Sequence, residues 1–424
     1  MTIFEVALVT FLSTYAFSLT VDLGRAGLEF LFNLFPRNKL KKLPPVTLTP
    51  EQAAVIIPCH NSADSIANPL ETLPVDYKVY CVANACSDNT VEILNSFSGR
   101  FGDNLKIIET EKPGKITAVL RGAVRAKKDG LTHFILLDDD VIWPVGDDDK
   151  PMPVSSYDPD APLTALPVLP AKSPNWLTAA QTIEYQLMCT SKRAQGNLGN
   201  TIMASGAAGI FRLDTFPQLM SFHNGEHIGD DLQCAYIHHA KDARIDFNSQ
   251  LLIRTQAPET MAQWWRQRTK RWEVSSVFNS PWALKAMFHN VWGSPGWWIR
   301  GVIGYRFAVI FNDFFRAASL PLTIAYSPII VGGVWGVTYL SVCLKLLVYR
   351  IFYRKNYNPK WDKILFMTLL TYPLYTALMW ISRIAAVPRG LYLNWKYYKF
   401  GFRLSGTLKP FIEDLERREP NATD

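Results

Sequence analysis

The sequence predicts an α/β domain with a mainly parallel sheet, joined to membrane-spanning and interfacial helices. Three observations carry that expectation. Apolar residues gather in 2–35 and 302–393, whereas 50–280 has the mixed composition of a globular domain. Between 53 and 137, short apolar runs alternate with helix-like segments, the pattern of βαβ units. One of those runs, Phe134-Ile-Leu-Leu, ends directly in Asp138-Asp-Asp140. Three carboxylates therefore emerge where the strand ends of an open α/β sheet bind ligands.

The elements follow in order. Residues 2–21 are long and apolar enough to cross a bilayer, and no small-residue cleavage site follows, so they read as an anchor. Residues 22–36, with Asp22, Arg25 and Glu29, continue that helix or lie along the interface. The basic cluster Arg37, Lys39, Lys41, Lys42 puts the next domain on the cytosolic side, and the Pro-containing 43–50 is a linker. Ala53–Pro58 reads as a strand, 62–73 as a helix, 77–83 as a strand and 90–97 as a helix. Residues 105–109 give a third strand, 114–128 a helix and 133–137 the fourth strand. The stretch 143–173 carries seven prolines and makes a long excursion, with a further strand at 163–169. Ser173-Pro174 reads as a cap and first-turn proline opening a helix to about Ala194. Residues 210–212 return to strand, 225–239 hold a helix, 245–254 a strand hairpin and 261–278 a Trp- and Arg-rich helix. Spans are expected over 302–325, 327–349 and 364–387. Residues 351–363 are basic and should face the cytosol, and so is the tail from Pro388. Basic ends on both sides of 364–387 would be reconciled by a re-entrant hairpin at Pro373.

The chain has 424 residues, of which 48% are hydrophobic and 13% aromatic, with 13 Trp. That length allows two or three domains with a sizeable core. The net charge of +7 lies largely beside apolar segments, which suits a membrane face better than a nucleic-acid groove. Six cysteines without CxxC spacing point to a reduced, cytosol-facing domain.

Several motifs carry chemistry. Asp138 and Asp140, alternate acids at a strand end, can reach one hard cation, which would hold a diphosphate; the alternative is a solvated acidic turn. Asp147–Asp149, lying between Pro144 and Pro151 with no strand before them, read as solvated loop. Pro58-Cys-His-Asn61 ends the first strand in a loop that cradles a nucleotide base or merely turns. Asp88, in the loop Asn84–Thr90, accepts from a base or ribose, or caps the next helix. Lys112-Pro-Gly-Lys115 precedes the third helix and suits a diphosphate, or makes a basic turn. Gly229-Asp230-Asp231 offers a charged base, or an N-cap pair. Arg268-Thr-Lys-Arg271-Trp272 joins two guanidinium groups to an indole. It would bind a diphosphate and stack on a sugar or base, or lie on the membrane with Trp264 and Trp265.

In this order the motifs resemble those of the membrane-embedded family 2 glycosyltransferases, the group of cellulose, chitin and hyaluronan synthases. The resemblance covers residues 53–275 and extends more loosely to the flanking spans. It implies a GT-A fold, a Rossmann-like mixed sheet, with a UDP-sugar donor and Mg2+ or Mn2+. By that resemblance Pro58, Asn61, Asn84, Asp88, Lys112 and Lys115 would face the nucleotide, with Arg268, Arg271 and Trp272. Asp138 and Asp140 would hold the metal diphosphate. Asp231, beside Asp230, would be the general base. Ser205, Gly206, Ala207 and Trp272 would meet the acceptor. Two positions depart from the pattern: Asn84 stands where an acid usually opens the second loop, and Arg268 stands where a glutamine is usual, with Gln267 one residue early. The RxxRW form also resembles ceramide glucosyltransferases, which add one sugar to a lipid.

The expected organisation is an anchor over 1–42, a catalytic domain over 43–260, interfacial helices over 261–300, a transmembrane region over 301–393 and a tail over 394–424. The expected protein is an inverting transferase of the plasma membrane or an endomembrane. It would extend a β-linked polysaccharide on the cytosolic side and export it through the C-terminal helices. Its partners would be the UDP-sugar, a glycan or lipid acceptor and the bilayer, with no nucleic acid and with homo-oligomerisation left open. The rivals are a lipid-directed monoglycosyltransferase, a membrane protein that only binds nucleotide sugar, and a zinc protein using His223, His227, His238 and His239.

Overall fold

The computed structural model describes residues 2–34, 46–146, 150–155, 157–288, 297–353, 363–401 and 407–418. The basic cluster at 37–42, the triplet Asp147–Asp149 and most of the basic stretch 351–363 lie outside the described residues.

The strands form where the apolar runs stand. Strands β1 (Ala53–Cys59), β2 (Lys78–Asn84), β3 (Leu105–Thr110) and β4 (His133–Leu137) pair in parallel in the order β4-β1-β2-β3. Every residue of β1 is buried, because a parallel strand is covered on both faces and so reads as a continuous apolar run. Its side chains still alternate: Ala54 and Ile56 enter one core, Val55 and Ile57 the other. Helix α1 is the N-terminal Ile3–Leu34, and α2 (Ala67–Thr72), α3 (Thr90–Ser96) and α4 (Lys115–Lys128) connect the strands. Helix α4 lies so close on β1 that a β-carbon at Gly122 would fall 2.8 Å from Ile56 Cγ2.

Beyond β4 the sheet becomes mixed. Short strands β5 (Val141–Ile142), β6 (Leu163–Ala165) and β7 (Val168–Pro170) precede α5 (Trp176–Asn197), then β8 (Ala208–Arg212), α6 (Asp230–Ala240), β9 (Ile245–Phe247) and β10 (Ile253–Thr255). Strand β8 runs antiparallel between β4 and β6, and β9 adds parallel to β6, giving β9-β6-β8-β4-β1-β2-β3. A second sheet runs β5-β10-β7.

Several expectations are corrected here. The apolar run 163–169 is two strands in different sheets. Residues 245–254 are no hairpin, because β9 pairs with β6 while β10 pairs with β5 and β7. Helix α5 is capped by Asn175, whose side chain accepts from Thr178 N in a capping box, rather than by Ser173. Of 62–73, only Ala67–Thr72 is helical.

Beyond β10 the described residues are mainly helical. Helix α7 (Met261–Gln267) passes through a π turn (Arg268–Trp272) into α8 (Glu273–Phe278), followed by α9 (Ser280–Phe288). Helices α10 (Trp297–Tyr326), α11 (Pro328–Phe352) and α12 (Lys363–Tyr398) are long and apolar, and α13 (Lys409–Arg418) closes the chain. Among the described residues four helices, the N-terminal one and α10 to α12, are long and apolar enough to cross a membrane. Helix α1 runs unbroken to Leu34, so residues 22–34 continue it. Helix α12 runs through Pro373 and Pro388 without turning back, which overturns the re-entrant hairpin. Proline is tolerated there because neighbouring groups can satisfy the freed backbone.

Candidate active site

Parallel pairing brings the loops after β1, β2 and β4 to one edge of the sheet. The first two are knitted together. Asn61, in left-handed backbone at φ 53°, accepts from Ser87 N at 2.8 Å. Asp88 accepts from Ala63 N at 3.1 Å and from Thr90 N and Oγ1 at 3.2 and 2.5 Å. The Thr90 hydroxyl above all, with the backbone amides, holds Asp88 below the usual carboxylate range, so it stays charged. It therefore serves the turn, while remaining exposed on it. Asn84 is buried; its Oδ1 accepts from Thr110 Oγ1 at 3.2 Å and its carbonyl meets His60 Nδ1 at 2.7 Å. Thr110 also donates to the Lys112 carbonyl at 3.4 Å, and the Lys112 side chain is exposed. Pro58 is buried inside β1, so the loop proper starts at His60 and the nucleotide contact expected of Pro58 is not available to its side chain.

The acids converge on one ammonium. Lys115 opens α4 behind Gly114, and its Nζ lies 2.6 Å from Asp138 Oδ1, 3.9 Å from Asp230 Oδ2 and 3.3 Å from the Gly206 carbonyl. Asp138 N donates to the Ala207 carbonyl at 3.0 Å, and Ser205 bridges to Ala208. The lysine loop, the strand-end triplet, the second acidic pair and the Ser205–Ala207 loop thus share one centre. Burial would lower the Lys115 ammonium, but the Asp138 and Asp230 carboxylates outweigh it and hold it protonated.

The triplet carries more negative charge than its surroundings offset. Burial raises Asp138 against the pull of Lys115. Burial, then the charges of Asp138 and Asp139, push Asp140 up to about 7. Asp140 accepts from Thr255 Oγ1 at 3.1 Å, and Asp139 from the Ser62 hydroxyl. Two hard carboxylates with raised affinity for positive charge fit a divalent cation. Among the described residues no three His, Cys, Asp or Glu side chains could hold a metal, so oxygens of a bound diphosphate would complete the shell, as is usual for Mg2+.

Asp231 sits in the first turn of α6 behind Gly229, which is left-handed at φ 64°. Its Oδ1 accepts from Leu232 N at 2.8 Å, and its Oδ2 lies 3.2 Å from where a β-carbon on Gly206 would stand. Burial, then the Asp230 charge, push Asp231 up to about 6. A carboxyl poised near neutrality beside the Ser205–Ala207 loop can take a proton.

The Arg/Trp segment departs from expectation at its first residue. Arg268 is 2% exposed. Its fork is spent on Glu184, with Nη1 2.8 Å from Oε1, and it also reaches Tyr375 Oη at 3.1 Å. It is a buried clamp, closed off from a nucleotide. Arg271 is exposed and Trp272 half-buried. The Trp272 ring packs 5.7 Å from Tyr185 and 4.3 Å from the Arg268 guanidinium. Burial first, with the Asp140 charge among the smaller causes, raises the Tyr185 phenol. The zinc reading finds no support: among the described residues no three His, Cys, Asp or Glu side chains stand close enough to hold a metal, and burial lowers His238 and His239 to about 4.

Sequence reasoning missed Ser62, Tyr185, Glu184 and Thr255. Ser62 sits in the first strand-end loop and could have been included. The other three lie on elements whose place in the sheet no local pattern fixes.

The family described as glycosyltransferase like family 2 matches residues 50–274. A poly-β-1,6-N-acetyl-D-glucosamine synthase of Staphylococcus aureus (strain MSSA476) is 26% identical over 256 residues, covering 58% of this chain and 60% of the relative. The synthase of the same name from Staphylococcus epidermidis is 25% identical over 232 residues, covering 52% and 54%. The chain spans about three-fifths or less of the length of the curated relatives it matches. Among solved structures, the mannosyltransferase PcManGT of Pyrobaculum calidifontis, in complex with GDP-Man and Mn2+, is 18% identical with a TM-score of 0.49, covering 89% of this chain and 98% of that one. S. aureus TarS in complex with UDP-GlcNAc is 12% identical with a TM-score of 0.36, covering 82% and 92%.

Proposed function

Starting from a chain that belongs to the glycosyltransferase-like family 2, we propose that it is an inverting, membrane-embedded transferase that moves a sugar from a UDP-sugar onto a growing β-linked polysaccharide. The observation that carries this reading is the Lys115 ammonium, 2.6 Å from Asp138 and 3.9 Å from Asp230. It ties a diphosphate-type site to a base-type site across 115 residues of sequence. Relatives named as poly-β-1,6-N-acetyl-D-glucosamine synthases support a polysaccharide product.

Asp138 and Asp140 would hold Mg2+ or Mn2+, which when bound would neutralise charge on the departing diphosphate. Asp231 takes the proton of the acceptor hydroxyl. The acceptor oxygen bonds to the sugar C1 as the C1–O bond to UDP breaks on the opposite face, inverting the centre. UDP leaves with the bonding pair, and Lys115 and Arg271 stabilise its charge as preorganised cations. Asn61 and Asp88 shape the loop beside the nucleotide. Trp272 and the Ser205–Ala207 loop orient the acceptor. The catalytic domain faces the cytosol, in a plasma membrane or endomembrane, and the product passes out along α10 to α12.

A second reading, a lipid-directed monoglycosyltransferase, is favoured by Arg268 standing at the usual glutamine position. Membranes containing the protein, incubated with a panel of UDP-sugars and Mg2+ or Mn2+, separate the readings. UDP release with a growing, water-soluble product supports the synthase. A single sugar on extractable lipid supports the second reading. No UDP release overturns both.

A further inference from the structure

Charged side chains alternate in sign from the catalytic domain into the membrane helices. Glu184 on α5 takes the fork of Arg268. Arg268 Nη1 lies 3.7 Å from Glu273 Oε1, and Glu273 Oε2 accepts from Arg383 Nε on α12 at 3.2 Å. Arg383 also pairs with Asp313 on α10, which Arg316 flanks at 3.4 Å. Arg268 and Asp313 are 2% and 1% exposed. Buried pairs of this kind give little net stability over apolar packing, yet losing one member strands the others. Their use is to fix register, and this chain fixes the π turn. A π turn bonds residue i to i+5, the spacing of Arg268 and Glu273. It also brings Arg268 over Trp272, with the guanidinium 4.3 Å from the ring. Of the residues assigned to metal or diphosphate, Lys115, Asp138 and Asp140 lie outside the series, while Arg271 lies within the π turn.

We propose that Arg383, seated on Asp313, is a positioning residue that acts through Glu273 and Arg268 to hold the Trp272 ring at the acceptor side, so that the membrane helices set the turnover of the transferase. This rests on the glycosyl-transfer reading above and extends it to residues outside the matched segment. Truncating Arg383 leaves Glu273 free to draw Arg268 off Glu184, and Trp272 loses the guanidinium that fixes its face. Lys115, Asp138 and Asp140, which would hold the metal diphosphate, are untouched.

The test uses the full chain purified in detergent. UDP release is measured with UDP-glucose, UDP-N-acetylglucosamine, UDP-galactose and UDP-glucuronate, and each preparation is normalised to UDP-binding sites titrated calorimetrically with Mn2+. Arg383→Met is expected to lower turnover per bound UDP about tenfold, leaving UDP affinity within twofold, and Arg383→Lys to recover most of the loss. In a Trp272→Ala background, Arg383→Met should cost less than twofold more, because both changes remove one function. A merely structural role would lower the number of UDP sites and leave turnover per site unchanged. That result, or losses that multiply in the double variant, overturns the proposal. Should Arg383→Met not fold, Asp313→Asn serves with the same expectations. Wild-type protein that binds UDP but turns over no donor overturns the transfer reading and this inference together. Wild-type turnover with unmoved variants overturns this inference alone.

Discussion

Gly229 stands against Ser275 so closely that a β-carbon on it would fall 2.1 Å from Ser275 Cβ. Gly229 is also left-handed, at φ 64°. Two separate demands therefore fix glycine at the residue that launches the Asp230-Asp231 pair, and both come from docking α6 on α8. Gly229→Ala adds a left-handed penalty of ~1 kcal/mol to overpacking of ~1–3 kcal/mol. The expected outcome is a lowered thermal midpoint and transfer reduced more than tenfold, read by thermal unfolding and UDP release. Ser275→Gly in that background should recover part of the midpoint, since it removes the side chain in the way.

Asp231 should give the pH profile its acid limb. Its carboxyl is pushed up to about 6, by burial first and the Asp230 charge second. A base must be ionised, so kcat/KM, which follows the free enzyme, should fall as pH drops through about 6. Stability should move the other way. The folded protein holds this proton more tightly than the unfolded chain, so the group's contribution is full below the ordinary carboxylate range and is lost as pH rises through about 6. Mild acid should thus slow the enzyme without unfolding it through this group. Asp231→Asn should lower transfer by about 10²–10⁴-fold, with UDP binding within twofold, and the residual rate should lose the limb near pH 6. Wild-type turnover in that variant would refute the base assignment.

Metal removal offers an independent check on the triplet. Chelation with EDTA should abolish UDP release, and added Mn2+ or Mg2+ should restore it. Asp140→Asn should raise the Mn2+ concentration needed for half-maximal rate by at least tenfold. Ser62→Ala should have a smaller effect. It removes only the hydroxyl that donates to Asp139, a charged hydrogen bond worth about 1.5–3 kcal/mol on an acid given no metal role. Equal metal dependence in all three proteins would break the assignment.

What the sequence made legible follows from how local each signal is. Strands β1, β2 and β4 are readable because burial on both faces leaves a nearly uninterrupted apolar run, and the edge strand β3 because Ile107-Ile108 sit between polar residues. The acids at the end of β4 were readable because they follow such a run directly. Leu163–Leu169 reads as one strand because nothing in a short apolar stretch records that its halves join different sheets. Pro373 reads as a turn because basic stretches at both ends of 364–387 ask for a re-entrant hairpin, whereas the helix runs on through the proline, which packed membrane helices absorb. Arg268 was read as a ligand from its motif, since its burial depends on Glu184, 84 residues earlier. Arg383 gave no signal at all: its partner Glu273 is 110 residues away, and a lone arginine in an apolar span names no partner.

The contact of α12 with α8 should be as exacting as the ion pairs beside it. A β-carbon on Gly390 would fall 2.6 Å from Val277 Cβ, 2.9 Å from Val277 Cγ1 and 3.3 Å from the Val274 carbonyl. The close approach lets Asn394, one turn further on, donate to the Val277 and Phe278 carbonyls at 3.0 and 3.1 Å. Those carbonyls end α8, where a helix lacks its own donors. Gly390→Ala would have to push α12 away and open both bonds, at a cost of about 1–3 kcal/mol for the overpacking alone. Backbone propensity favours the alanine by ~1 kcal/mol, so a stabilised variant would mean that the helices yield freely. The expected result is a lower thermal midpoint and reduced turnover, because α8 carries Glu273 and Ser275. Val277→Gly, which removes the clashing Cβ, should recover more midpoint in the Gly390→Ala background than it loses in wild type. Additive losses in the two variants would show that the helices do not meet at this pair.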